Sequence, residues 1–249
     1  MANKEVLKHI RCGIGDVAPY VIIPGDPGRV KRIVAEMDEA TFISDNREYI
    51  TYTGKYHGVL ITVCSSGIGG PAASIAIEEL IKLGAKVFIR VGSAGGRQAN
   101  IKIGTPVVIT ATYRGEGTSH AYLPSDFPAV ASLDVTNALI ETLEKQSYPY
   151  DYGLGFCRDA YYVQDSDLNT LLTNCGVKVA EQESSILFIL GAFRGVKTGA
   201  IVSTDSNIYL EKQPTLEQKD ELYLSGEKKT VLAALDACEI LFNKEAHIY

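Results

Sequence analysis

Several things are missing from this chain, and each absence narrows what it can be. No run of about 18 apolar residues occurs among the 249 residues, so a membrane-spanning helix is not expected. The opening stretch MANKEVLKHIRCG has no apolar core of the length a secretory signal needs. The five cysteines, Cys12, Cys64, Cys157, Cys175 and Cys238, are odd in number and show no CxxC spacing. A disulfide framework is therefore not expected, and reduced thiols in a cytoplasmic protein are. No His/Cys/carboxylate group has ligand spacing, so no metal is expected. Positive charge is short too: 24 Lys and Arg stand against 30 Asp and Glu, for a net charge of −6. That balance argues against a nucleic-acid or anionic-membrane surface, while a few focused arginines can still bind a small anion. There is no repeat, low-complexity segment or linker, and 46% of the residues are hydrophobic. Residues 1–249 therefore read as a single domain.

What is present is concentrated between Cys64 and Gly96. Val59 to Cys64 reads as a short buried strand running into Gly67, Gly69 and Gly70, where the backbone can approach a ligand closely. Pro71 suits the first position of a helix, whose apolar face Ile75, Ile77, Leu80, Ile81 and Leu83 ends near Gly84, a suitable C-cap. A second apolar strand, Val87 to Ile89, leads to Arg90 and a turn, Gly92-Ser93-Ala94-Gly95-Gly96. Backbone N–H groups and a fixed guanidinium converging on one spot make an anion pocket. Glycines after strands are also ordinary turns.

The same pair of readings recurs along the chain. Val21 to Ile23 is a strand, Gly25-Asp26-Pro27-Gly28 turns it, and Arg29 opens a helix to about Met37. This is either a plain Pro-Gly turn or a set of amides that, with Arg29, holds a phosphate. Asp45 to Tyr49 is a polar turn before the hairpin-like Tyr52 to Cys64. Thr105 to Thr112 is a β-branched strand, Tyr113 to Phe127 a long loop, Leu133 to Lys145 an amphipathic helix, and Tyr152 to Phe156 a short strand. Tyr161 and Tyr162 after it pack, or stack on a planar base. A short strand then delivers Glu181 and Glu183 to its end, and Ser184 to Ala192 continues as an apolar helix. Those acids are either partners of the helix dipole or ligands for vicinal hydroxyls. Thr198 to Asp205 is a buried strand ending in an acid, which is often a turn former. A charged loop from Thr215 and a helix from roughly Glu227 to Phe242 complete the chain.

Gly67-Ile68-Gly69, Glu79-Leu80 and Arg90-Val91-Gly92-Ser93-Ala94-Gly95 together resemble the nucleoside phosphorylase family of hexameric purine nucleoside phosphorylases and uridine phosphorylases. The resemblance is nearest to the apicomplexan-type purine enzymes. Ala72, where a serine is common, and Ala94, where a cysteine often sits, depart from the pattern. The resemblance implies an α/β fold with a central twisted mixed β-sheet flanked by α-helices, and phosphate as co-substrate with no cofactor. It implies Gly25, Arg29, Arg47, Arg90 and Ser93 as phosphate ligands. Arg47, in the segment N-R-E-Y, would cross a dimer interface to the neighbour's phosphate, and His9 would cross to the ribose 5′-hydroxyl. A homo-hexamer, a trimer of dimers, follows from that. Glu183 would bind the 2′- and 3′-hydroxyls, with Gln182 beside the sugar where the family has methionine. Tyr161 and Glu181 would lie at the base, and Asp205 would be the acid that protonates the leaving purine, partial burial raising its pKa.

Glycosidic cleavage passes through an oxocarbenium-like sugar, so an anionic nucleophile must be held below the anomeric carbon and the departing base neutralised above it. The resemblance thus implies phosphorolysis of purine ribonucleosides, inosine or guanosine, to free base and ribose 1-phosphate. Uridine phosphorolysis is the alternative. Those relatives place a Gln and an Arg after the aromatic to read the uracil edge, whereas here Gln164 is followed by Asp165 and Ser166. A nucleosidase has less need of three arginines, and a non-catalytic nucleoside-binding protein has no need of Asp205.

Overall fold

The computed structural model describes residues 5–246. In chain order its elements are β1 (Tyr20–Pro24), α1 (Pro27–Val34), β2 (Glu39–Asn46), β3 (Tyr49–Tyr56), β4 (Val59–Cys64), α2 (Gly70–Lys82), β5 (Val87–Gly96), β6 (Pro106–Gly115), α3 (Thr118–Tyr122), β7 (Ala129–Val130), α4 (Leu133–Lys145), β8 (Asp151–Arg158), α5 (Ser166–Asn174), β9 (Val179–Glu181), α6 (Ser184–Arg194), β10 (Lys197–Asn207) and α7 (Leu216–Ala246). Local chemistry explains several boundaries. Asp26 caps α1 by accepting from Gly28 N, Pro27 stands in its first turn, and Lys31 and Arg32 lie in its last turn, toward the negative end of the helix dipole. Asp165 caps α5 through Asp167 N and Leu168 N, and Gly195 ends α6 in the left-handed conformation.

All the strands join one mixed sheet in the order β10-β6-β8-β9-β5-β1-β4-β3-β2, with β7 on β6. Because β10 also pairs with β5, strands β5, β10, β6, β8 and β9 close into a ring, and β1, β4, β3 and β2 extend from it. Side chains alternate between two cores. Val21 and Ile23 of β1 face α2 and α6, while Tyr20 and Ile22 face α1, α4 and α7. A sheet buried on both faces explains why its central strands read as unbroken apolar runs.

Three expectations need correction. Gly92 to Gly96 is not a turn but the second half of β5, paired with Val202 to Asn207 of β10. The small residues make that pairing possible, since a Cβ at Gly92 would lie 2.8 Å from the Arg90 guanidinium and 3.1 Å from Val202. The stretch Tyr113 to Phe127 is partly ordered, first as the end of β6 and then as α3. The charged segment after Thr215 is the start of a helix of 31 residues. Charge keeps a segment out of the core but does not prevent a helix, and Leu, Glu, Gln and Lys are good helix formers.

Candidate active site

Strand β5 carries the site. Along one edge β10 pairs with it for its whole length. On the other edge β1 covers Val87 to Val91 and β9 covers Gly95 and Gly96. Gly92, Ser93 and Ala94 lie between them with no strand partner on that edge among the described residues. The crevice opens where β1 ends and the connections diverge, beyond the carboxyl ends of the parallel strands β1, β4 and β5. A small cavity there is lined by Ile23, Ser66, Ala73, Arg90, Glu183 and Leu187 among others.

Arg90 is 4% exposed. Its Nε donates to Glu181 Oε2 at 2.9 Å and its Nη2 pairs with Glu183. Its third nitrogen, Nη1, is buried with no partner among the described residues. A Cβ built on Gly25 would come within 3.8 Å of that atom, so the unused donor faces the turn after β1. Glu183 also accepts from Gly69 N at 2.5 Å. Gly69 sits at φ 87°, a conformation open to glycine, and this aims its amide into the crevice at the start of α2. Burial pushes the Glu183 carboxyl above the usual range, with Glu181 adding to the rise and Arg90 opposing it. Ser93 is half-buried in the gap on β5, and its hydroxyl makes no hydrogen bond to the described residues.

Glu181 is buried, and both of its carboxylate oxygens are engaged. Its Oε1 accepts from the Cys157 thiol at 2.5 Å, Ser184 Oγ at 2.6 Å and Ser184 N at 3.0 Å, and its Oε2 accepts from Arg90 and from Glu183 N. Burial alone would raise this carboxyl; Arg90 and the thiol and hydroxyl bonds pull it below the usual range. In this arrangement Glu181 holds Arg90 and the start of α6. Cys157, a neighbour that spacing alone does not reveal, is buried, and burial together with Glu181 pushes its thiol well up, so it stays protonated as a donor.

Arg29 is buried and fixed from three sides: Nε on Glu227 at 2.6 Å, Nη1 on Val91 O at 3.1 Å, and Nη2 on Tyr223 OH at 2.5 Å. Gln182 donates its amide to Arg158 O at 3.2 Å and Asp159 O at 2.9 Å, so it ties β9 to the end of β8 rather than offering its N–H groups to a sugar. Tyr161 is 62% exposed on the loop after β8 and stands edge-on to Tyr162. In that loop Arg158 Nη1 bonds Gln164 Oε1, which also accepts from Asn169 Nδ2 at 3.1 Å. The Gln and Arg that the spacing fails to supply after Tyr161 thus meet in space, the arginine coming from the preceding strand. Asp205 is the extra residue of a β-bulge between Thr204 and Ser206, which re-aims its side chain. It is exposed, and its carboxylate accepts from Ser206 Oγ at 2.7 Å. The partial burial expected for it is not there, because the bulge turns it outward.

His9 and Arg47 form a separate corner. Glu79 of α2 holds His9 through Nδ1 at 2.6 Å and through its backbone N–H, and also accepts from Ile10 N. Asn46 donates to His9 O at 2.6 Å, which sets the neighbouring Arg47 beside it. Arg47 is exposed at φ 59°, the left-handed region, in the turn between β2 and β3. No hydrogen bond joins either residue to the Arg90 and Glu183 group among the described residues. One further cluster escaped the spacing argument: ligand atoms of His57, Asp236 and Glu239 lie within 4.8 Å of one another and could hold a metal. His57 precedes β4 and the crevice follows it, so a whole strand, about 20 Å, separates the two.

The description of the phosphorylase superfamily matches residues 19–237, and the chain belongs to that superfamily as an enzyme of its nucleoside phosphorylase family. A uridine phosphorylase from Thermococcus kodakarensis is 40% identical over 246 residues, covering 94% of this chain and 86% of that one. Among solved structures, a uridine phosphorylase from Vibrio fischeri ES114 superimposes with a TM-score of 0.89 at 36% identity, covering 95% of this chain and 98% of that one. Purine nucleoside phosphorylase from Toxoplasma gondii, in complex with immucillin-H, does so with a TM-score of 0.87 at 32% identity, covering 98% and 99%. No helix of the described residues is long and apolar enough to cross a membrane.

Proposed function

We propose that this chain catalyses phosphorolysis of uridine to uracil and ribose 1-phosphate. The reaction class rests on one observation above the rest: the buried Arg90 Nη1, unpartnered, beside Gly25 and the open edge of β5. An unsatisfied buried cationic N–H is costly unless a ligand completes it, and an oxygen anion is the fitting one. In this reading Arg90, Arg29, Ser93 and the Gly25 amide hold phosphate below the sugar, and Glu183 leaves Arg90 for the ribose hydroxyls. A phosphate oxygen bonds to the anomeric carbon as the bond from that carbon to the base breaks. Uracil leaves as an anion, and the Arg158 guanidinium with Gln164 neutralises it through its carbonyl edge.

The choice of uridine is supported by the paired Arg158 and Gln164 and by the names of the Thermococcus and Vibrio relatives. Purine phosphorolysis is the second reading, favoured by Asp205 on its bulge and by the likeness to the Toxoplasma enzyme. We further propose that a second copy supplies Arg47 and His9, in a dimer or a larger assembly such as a hexamer, because the two sit together at an outer corner of the chain. Cleavage of uridine and inosine, each with and without phosphate, tests the reading. The expected outcome is cleavage only with phosphate and uridine the better substrate. Faster inosine cleavage passes the role to Asp205, and cleavage indifferent to phosphate defeats both readings.

A further inference from the structure

We infer that Glu227, assisted by Tyr223, is a positioning residue for Arg29, so that helix α7 sets the phosphate affinity of the site. The inference rests on the proposed reading of Arg29 as a phosphate ligand. A guanidinium has five N–H donors. Arg29 spends three, on Glu227, Val91 O and Tyr223 OH, and keeps one on each terminal nitrogen. Three fixed points define the plane of the group, and one N–H on each terminal nitrogen is left for the oxygens of a phosphate. Val91 O belongs to the residue after Arg90, so both guanidinium groups are anchored at adjacent positions of β5.

Charge points the same way. Arg90 faces two carboxylates, Glu181 and Glu183. Arg29 touches one carboxylate, that of Glu227, and shares it with Arg32, which has Asp26 as a second partner at 3.0 Å, so Arg29 is less closely neutralised than Arg90. The Glu227 side chain is 3% exposed, and although burial raises the carboxyl, Arg32 and Arg29 hold it below the usual range. Tyr223 donates to Glu227 at 2.8 Å while accepting from Arg29, and burial pushes its hydroxyl up to about 12, so it remains a donor at neutral pH. A buried carboxylate shared in this way is weak support for stability alone, since desolvation offsets most of what the pairing contributes. Its value is in fixing a geometry.

The test is the phosphate KM and the nucleoside KM of wild type, Arg29→Ala, Glu227→Gln and Tyr223→Phe, with whichever nucleoside the wild type cleaves. Glu227→Gln is expected to raise the phosphate KM by about tenfold to a hundredfold while the nucleoside KM stays within about threefold. Tyr223→Phe is expected to raise the phosphate KM by about threefold. If Arg29→Ala leaves the phosphate KM unchanged, the reading of Arg29 itself fails. If Arg29→Ala raises it but folded Glu227→Gln only lowers Tm, the positioning role is overturned and Glu227 is structural. Should Glu227→Gln not fold, Tyr223→Phe decides: an unmoved phosphate KM overturns the inference, and a selective rise sustains it.

Discussion

The two halves of the crevice are built in different ways. On the side proposed for phosphate and sugar, Arg90, Glu181 and Glu183 are each about 95% buried, and every polar atom but Arg90 Nη1 has a partner. On the side proposed for the base, Tyr161, Gln164 and Asp205 are exposed. Buried charge must be paired before any ligand arrives, so the first half is set by the fold. Exposed side chains carry no such obligation, and the ligand completes their arrangement. On the proposed function, reaction type resides in the rigid half and choice of base in the open one.

The largest effect should come from the rigid half. Arg90→Ala is expected to lower kcat/KM by about a thousandfold. It should also lower Tm, because it leaves Glu181 and Glu183 as buried carboxylates without a counter-ion, at a cost of about 3–5 kcal/mol. Steady-state kinetics with a thermal melt would check both, and a loss below tenfold would break the comparison. Next comes the shared corner. Arg47→Ala and Arg90→Ala should each be inactive, yet equal amounts unfolded and refolded together should recover about a quarter of wild-type activity, since half of the mixed dimers' sites pair an intact Arg90 with an intact Arg47. No recovery would place Arg47 outside the site.

In the open half, Arg158→Ala is expected to lower kcat/KM for uridine by about tenfold to a hundredfold, the worth of a hydrogen bond from a charged donor, while inosine changes by less than about threefold. Equal losses on both would show that Arg158 does not read the base. The smallest effect is on stability against pH. Glu181, Glu79 and Glu227 have folded pKa values below the usual range, in each case because hydrogen bonds and cationic partners outweigh burial. Their contribution is present above the unfolded carboxylate pKa, about 4, and is lost as pH falls through the folded values. Glu183 is raised, so its contribution has the opposite sign, present at low pH and lost as pH rises through its folded value. Glu141 and Glu245, held by lysines, are lowered as well, so with five carboxyls against one Tm should fall on acidification below about pH 4, and less steeply in Glu227→Gln. A flat profile would contradict the pairing of these acids.

Much of the rigid half was legible because its parts are compact in sequence. The Gly67 to Gly70 run, Arg90 and Glu183 each close an apolar strand or open a helix, and local pattern finds them. What was not legible is non-local. The strand character of Gly92 to Gly96 depends on pairing with β10, more than a hundred residues away, and local glycine content argued for a turn. Glu227 reaches Arg29 across 198 residues, and no spacing rule connects them. The pairing of Gln164 with Arg158 reverses the order in which a motif would be sought, the arginine standing before the glutamine. For Asp205 the strand end was clear, but a one-residue bulge turned an expected half-buried acid outward. Charge in α7 suggested a loop, although its residue types favour a helix.

The most direct test of the division into a rigid and an open half is the phosphate KM measured four ways: wild type and Arg158→Ala, each with uridine and with inosine. The account predicts one phosphate KM, within about twofold, in all four cases, while kcat/KM for the nucleosides differs widely. A phosphate KM that moves tenfold with the base, or with Arg158, would contradict it and make the two halves a single site.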